Sequence, residues 1–77
     1  MNLKELVEYI TKALVENPDD VTVGVTENAD SVAIEVHVAP TDMGRVIGKG
    51  GRIANSVRVL ARIAAMRHGK RATLDIV

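Results

Sequence analysis

The sequence has no cysteine, phenylalanine or tryptophan, and its one aromatic residue is Tyr9. Without cysteine no disulfide can staple the fold, and His37 and His68 alone are too few soft ligands for a zinc site. No apolar run approaches the roughly 18 residues that a membrane-spanning helix requires, and the N-terminus lacks a signal-peptide pattern. These absences predict a soluble cytoplasmic domain. The 77 residues suffice for one domain, 1–77, and are too few for two. A chain of this size buries only about 60% of its unfolded surface, which leaves little room for a deep enclosed active site. Ser31 and Ser56 have no base at readable spacing, so nucleophilic catalysis has no support. No cofactor is implied.

The formal net charge is zero, but its distribution is not even. Residues 1–42 hold two cations and nine acids, a net charge of −7. Residues 43–77 hold eight cations and only Asp75 as an acid, a net charge of +7. A positive field confined to one half suggests a polyanionic partner. The alternative is that the two halves neutralise each other in the fold.

Leu3, Leu6, Val7, Ile10 and Leu14 recur at helical spacing, with Asn2 as N-cap and Asn17-Pro18 as the stop. Val21, Val23 and Val25 alternate as a strand, and Asn28–Ser31 supply a turn. A second strand alternates Val32, Ile34, Val36 and Val38 with Ala33, Glu35, His37 and Ala39, and Pro40 ends it. Thr41 or Asp42 can cap a short helix over about Met43–Ile47. Gly48–Gly51 interrupt the chain, because three glycines in four residues do not suit a helix interior. A longer helix is predicted over about Arg52–Arg67, burying Ile53, Val57, Leu60, Ala61 and Ala64 and ending at His68-Gly69. Ala72, Leu74 and Ile76 alternate in a final strand. The expected fold is α+β, a three-stranded sheet packed with three helices in the order α-β-β-α-α-β. The sequence does not settle the strand order.

The most informative stretch is Val46-Ile47-Gly48-Lys49-Gly50-Gly51-Arg52. Its glycines let another molecule approach the backbone, and the turn feeds a helix N-terminus whose free N–H groups and dipole favour an anion. Lys49 stands at the tip, with Arg45 and Arg52 on either side, so phosphate is the natural occupant. It is not a P-loop: only three residues separate Gly44 from Gly48-Lys49, and Gly50 follows the lysine. It is not a Rossmann fingerprint either, since Ile53 stands where glycine or alanine is needed and no βαβ unit surrounds it.

Gly48-Lys49-Gly50-Gly51 matches the G-x-x-G loop of the KH domain, which clamps the backbone of about four nucleotides. With its apolar lead-in Val46-Ile47 and its element order, the whole chain resembles the bacterial type II arrangement of that family. In length, and in stretches such as Val38-Ala39-Pro40 and Met43–Lys49, it resembles the small stand-alone KH proteins of bacteria. The resemblance implies a non-catalytic RNA-binding protein that grips short single-stranded RNA, acting as an RNA chaperone or post-transcriptional regulator. On this reading Lys49, Arg45 and Arg52 hold phosphates, while Gly48, Gly50 and Gly51 permit close approach of the backbone. Val46, Ile47, Ile53, Ala54 and Val57 then line the helical wall of an apolar groove, with the second strand near Ile34–Val36 opposite. Ala54 stands where many KH domains carry a larger aliphatic residue, which implies a wider groove. The scarcity of aromatics fits a KH groove and not an RRM, which stacks bases on aromatic side chains.

Two features bear on other readings. Val59, Ile63 and Met66 form a second apolar stripe on the long helix, a candidate dimer or partner contact. The resemblance implies homodimers and pairing with a larger KH-containing protein. Arg58 and Arg62 fall opposite the buried face, as solvated charges. The alternatives are a protein-interaction module that does not itself bind RNA and a helix-turn-helix DNA binder, for which the short helix is barely long enough.

Overall fold

The structure is a computed structural model that describes residues 2–77. Helix α1 spans Leu3–Leu14, strands β1 and β2 span Thr22–Glu27 and Ser31–His37, helices α2 and α3 span Met43–Ile47 and Arg52–Met66, and strand β3 spans Arg71–Ile76. Short 3₁₀ turns at Pro18–Asp20, Pro40–Asp42 and Lys49–Gly51 join them. The α+β fold and the α-β-β-α-α-β order are those expected from the sequence.

Local sequence explains most boundaries. Asn2 caps α1, its side chain accepting the Glu5 N–H at 2.8 Å. The helix stops at Leu14, three residues before the Asn17-Pro18 stop expected from the sequence, because Val15 is already extended. Asn28 closes the β1–β2 hairpin by donating its N–H to the Ser31 carbonyl at 2.8 Å. At the end of α3, Lys70 N–H reaches back to the Ala65 carbonyl and Gly69 takes a φ of 69°, a glycine-dependent helix stop.

The sheet order is β1-β2-β3, with β1 antiparallel and β3 parallel to the central β2. A parallel pair needs a crossover, and the α2–α3 unit supplies it. One sheet face carries Val23, Val32, Ile34, Val36, Ala72 and Leu74, all buried against the helices. The other face presents Thr22, Gly24, Thr26, Ala33, Glu35, Thr73 and Asp75 to solvent.

The buried face of α3 differs from the expected one. Ala54, Val57, Ala61 and Ala65 are buried, whereas Leu60 is 48% exposed. The helix lies on the sheet through small residues, which allows close approach and rotates the larger Leu60 outward. Valine dominates the rest of the core, and each fully buried side chain of this kind contributes about 1.5–3 kcal/mol.

Candidate nucleic-acid interface

The crossover brings the loop and the N-terminus of α3 to one end of the domain. Gly48 ends α2 with φ 76°, and a Cβ there would lie 2.7 Å from Ile53 Cγ1. No side chain fits at Gly48 without displacing Ile53. Gly50 and Gly51 follow at φ 65° and 77°, in the left-handed region that glycine enters without strain. Nothing lies within 4 Å of a Cβ built on Gly50, so that face of the turn is open.

No side chain caps the N-terminus of α3; the Arg52 N–H donates back to the Lys49 carbonyl, and the positive end of the helix dipole faces the loop. Lys49 and Arg52 are exposed beside it. Among the described residues neither has an acidic partner. The mutual neutralisation allowed by the charge split is mostly absent. Of the eight cations in residues 43–77, only Arg45 and Lys70 are ion-paired among the described residues.

Arg45 sits in a different setting. Its guanidinium pairs with the Glu16 carboxylate and lies 3.9 Å from a carboxylate oxygen of Asp42. Asp42 is 1% exposed. It does not cap α2 through its side chain, as the sequence suggests. The Pro40–Asp42 turn runs directly into α2, so the side chain is free to point inward. There it accepts the backbone N–H of Glu16 at 3.1 Å, the backbone N–H of Asn17 at 3.0 Å and Asn17 Nδ2 at 3.0 Å. The Glu16 backbone bond, the two Asn17 bonds and the Arg45 charge together hold its carboxyl below the ordinary carboxylate value, against the opposing effect of burial.

The helical wall expected from the sequence divides in two. Val46, Ala54 and Val57 are 2%, 3% and 6% exposed and belong to the packed interior, so they support the site from beneath. Ile47 is exposed and Ile53 half-buried, and these two supply the apolar surface at the loop. The wall expected near Ile34–Val36 is corrected: β2 is the central strand, and Ile34 and Val36 are buried beneath the helices. The edge strand that packs with α3 is β3. Arg58 is also not simply solvated, since its Nε donates to the Leu74 carbonyl on β3 at 2.9 Å. Val59, Ile63 and Met66 are 49%, 53% and 71% exposed, and with Leu60 they form an uncovered apolar strip on α3.

The sequence reading missed the roles of Glu16, Asn17 and Asp42. Their contacts span more than 20 residues and leave no local pattern.

Comparison with known proteins settles the family. The model of the KhpA/KhpB KH domain matches residues 4–76. The chain belongs to the KhpA/KhpB KH-domain family. The RNA-binding protein KhpA of Caldanaerobacter subterraneus subsp. tengcongensis is 51% identical over 73 residues, covering 95% of this chain and 97% of that protein. The KhpA proteins of Clostridium perfringens and Aquifex aeolicus are 44% and 43% identical over 75 residues, in each case 97% of this chain and at least 95% of the relative. No solved structure matches the chain.

Proposed function

We propose that the protein is a non-catalytic binder of short single-stranded RNA, which it grips at the Gly48–Gly51 loop, in the service of RNA chaperoning or post-transcriptional regulation. The observation that carries this reading is the pair of exposed cations, Lys49 and Arg52, without acidic partners at an uncapped helix N-terminus. The curated relatives are named RNA-binding proteins, which supports the same substrate. Gly48, Gly50 and Gly51 admit the sugar-phosphate backbone, and Lys49, Arg52 and the helix N-terminus hold its phosphates. Ile47 and Ile53 lie against unstacked bases.

Single strands are the preferred substrate because a half-apolar ledge beside a phosphate site suits splayed bases and not a duplex. Two cations at the loop predict a log–log salt slope of about −1.4, since each neutralised phosphate contributes about −0.7 on a single strand. Fluorescence anisotropy with single-stranded RNA, duplex RNA and duplex DNA at several salt concentrations tests this. A preference for duplex DNA, or an affinity indifferent to salt, would remove the proposal.

The strip Val59-Ile63-Met66 supports association with a second copy or with a KhpB-type protein. Two linked loops would raise the affinity of a weak single module through effective concentration. Sedimentation of the wild type against Ile63→Asp checks this: the wild type is expected to be dimeric and the variant monomeric. A wild type that is monomeric at high concentration and in the presence of a KhpB-type partner would contradict it. The second reading, an interaction module without RNA binding, rests on the same strip and requires association without salt-dependent RNA binding.

A further inference from the structure

Arg58 bridges α3 and β3, and the bridge fixes a neighbour. Its Nε donates to the Leu74 carbonyl at 2.9 Å and its Nη1 donates to Asn55 Oδ1 at 3.0 Å. The two atoms of the Asn55 amide group are thereby told apart. Arginine has only donors, so the Asn55 atom facing it must be the oxygen, and the amide nitrogen is turned the other way. That nitrogen lies at the loop, where a Cβ built on Gly51 would be 3.7 Å from it.

The strand end of the bridge lies on the open edge of the sheet. Arg71 and Val77 donate their N–H groups inward, to the carbonyls of Asp30 and Val36. Backbone direction alternates along a strand, so the groups of Leu74 point outward, away from β2. Asn55 and Arg58 therefore occupy the ledge between the phosphate loop and the β3 edge. Among the described residues Asn55 Nδ2 donates to no protein acceptor, and Arg58 uses two of its five N–H groups. Arg58 occupies one lone pair of the Asn55 oxygen, and the N–H groups these two residues leave unspent, Asn55 Nδ2 and three on Arg58, outnumber the one acceptor site that remains.

A ledge of donors discriminates between bases. Uracil presents two carbonyl acceptors flanking one N–H, whereas each hydrogen-bonding edge of adenine pairs a single acceptor nitrogen with the amino donor, so a set of donors meets two acceptors on uracil and one acceptor beside an opposing donor on adenine. We propose that Asn55, oriented by Arg58, is a base-selecting residue of this RNA site and favours bases with carbonyl oxygens, uracil above adenine, at the nucleotide beside the clamped phosphate. The proposal rests on the RNA-binding reading above. Asn55 acts by direct contact, and Arg58 is its positioning residue.

The test is anisotropy with short oligo(U) and oligo(A) on the wild type, Asn55→Ala and Arg58→Lys, with circular dichroism melts as the control for folding. The quantity read is the U-to-A affinity ratio of each variant relative to the wild type, which cancels the intrinsic stacking of oligo(A). Asn55→Ala is expected to lower that ratio about three- to tenfold, the worth of one hydrogen bond, with an unchanged salt slope. Arg58→Lys keeps the charge but cannot hold Leu74 and Asn55 together, so it is expected to lower the ratio in the same direction. An unchanged ratio in Asn55→Ala overturns the proposal. Equal weakening on both oligonucleotides overturns it too, by placing the amide on phosphate. A wild type that binds neither oligonucleotide defeats the RNA reading itself, which separates that failure from a failure at Asn55.

Discussion

At the N-terminal end of α2, Asp42 is 1% exposed and its carboxylate is occupied by the backbone of Glu16 and by Asn17. At the other end, a few residues away, Lys49 and Arg52 stand in solvent with no acidic partner among the described residues. One five-residue helix thus joins a charge that is fully satisfied to charges that are not. The first arrangement fixes where α2 sits relative to α1. The second leaves cations ready to exchange water and counterions for phosphate. Arg45 lies between the two and already belongs to the satisfied end through Glu16 and Asp42.

If this contrast is right, damage at the Asp42 end should appear as lost stability. Asp42→Ala strands the N–H groups of Glu16 and Asn17 and is expected to lower the melting temperature by on the order of 10 °C, measured by circular dichroism. The pH dependence carries the same signature. The folded-state pKa of Asp42 lies below its ordinary 3.8, so its stabilisation is complete above that value and is lost as pH falls through it toward the folded pKa. The wild type should therefore lose melting temperature over that acid range more steeply than Asp42→Asn. Equal acid sensitivity would show that the carboxylate is not the anchor.

Gly48→Ala probes the junction itself. Its Cβ would meet Ile53 at 2.7 Å and its φ of 76° is unfavourable for alanine, so a loss of about 1–3 kcal/mol in urea denaturation is expected. Gly50→Ala, with open space around its Cβ, should cost less. Glu16→Gln releases Arg45 from an exposed ion pair, which is worth little to stability. RNA affinity should rise about two- to threefold, and the salt slope should steepen from about −1.4 toward −2.1 as a third cation becomes available.

These two ends were not equally legible in the sequence. The loop could be read from four adjacent residues, because the glycine spacing, Lys49 and the change from helix to turn are all local. Helix and strand positions were legible for the same reason, through alternation in β1 and β2 and helical spacing in α1. Asp42 reads in the sequence, like Thr41, as a possible cap of α2, since a short-range role is all that its neighbours reveal. Leu60 was placed in the core because periodicity alone does not show that α3 packs through alanines. The groove wall was assigned to β2 because strand order depends on long-range pairing, which places β2 in the centre and leaves β3 as the edge beside α3.

Whether the unpartnered cations of the loop hold RNA phosphate is decided by Lys49→Asp/Gly50→Asp. Anisotropy with a short single-stranded RNA at two salt concentrations compares the variant with the wild type, while circular dichroism checks that the fold persists. The wild type should bind and weaken with salt, and the variant should lose about 100-fold or more in affinity through charge reversal at the clamp. A folded variant that binds RNA as tightly as the wild type would contradict it, and would leave Gly48–Gly51 as a turn between two helices.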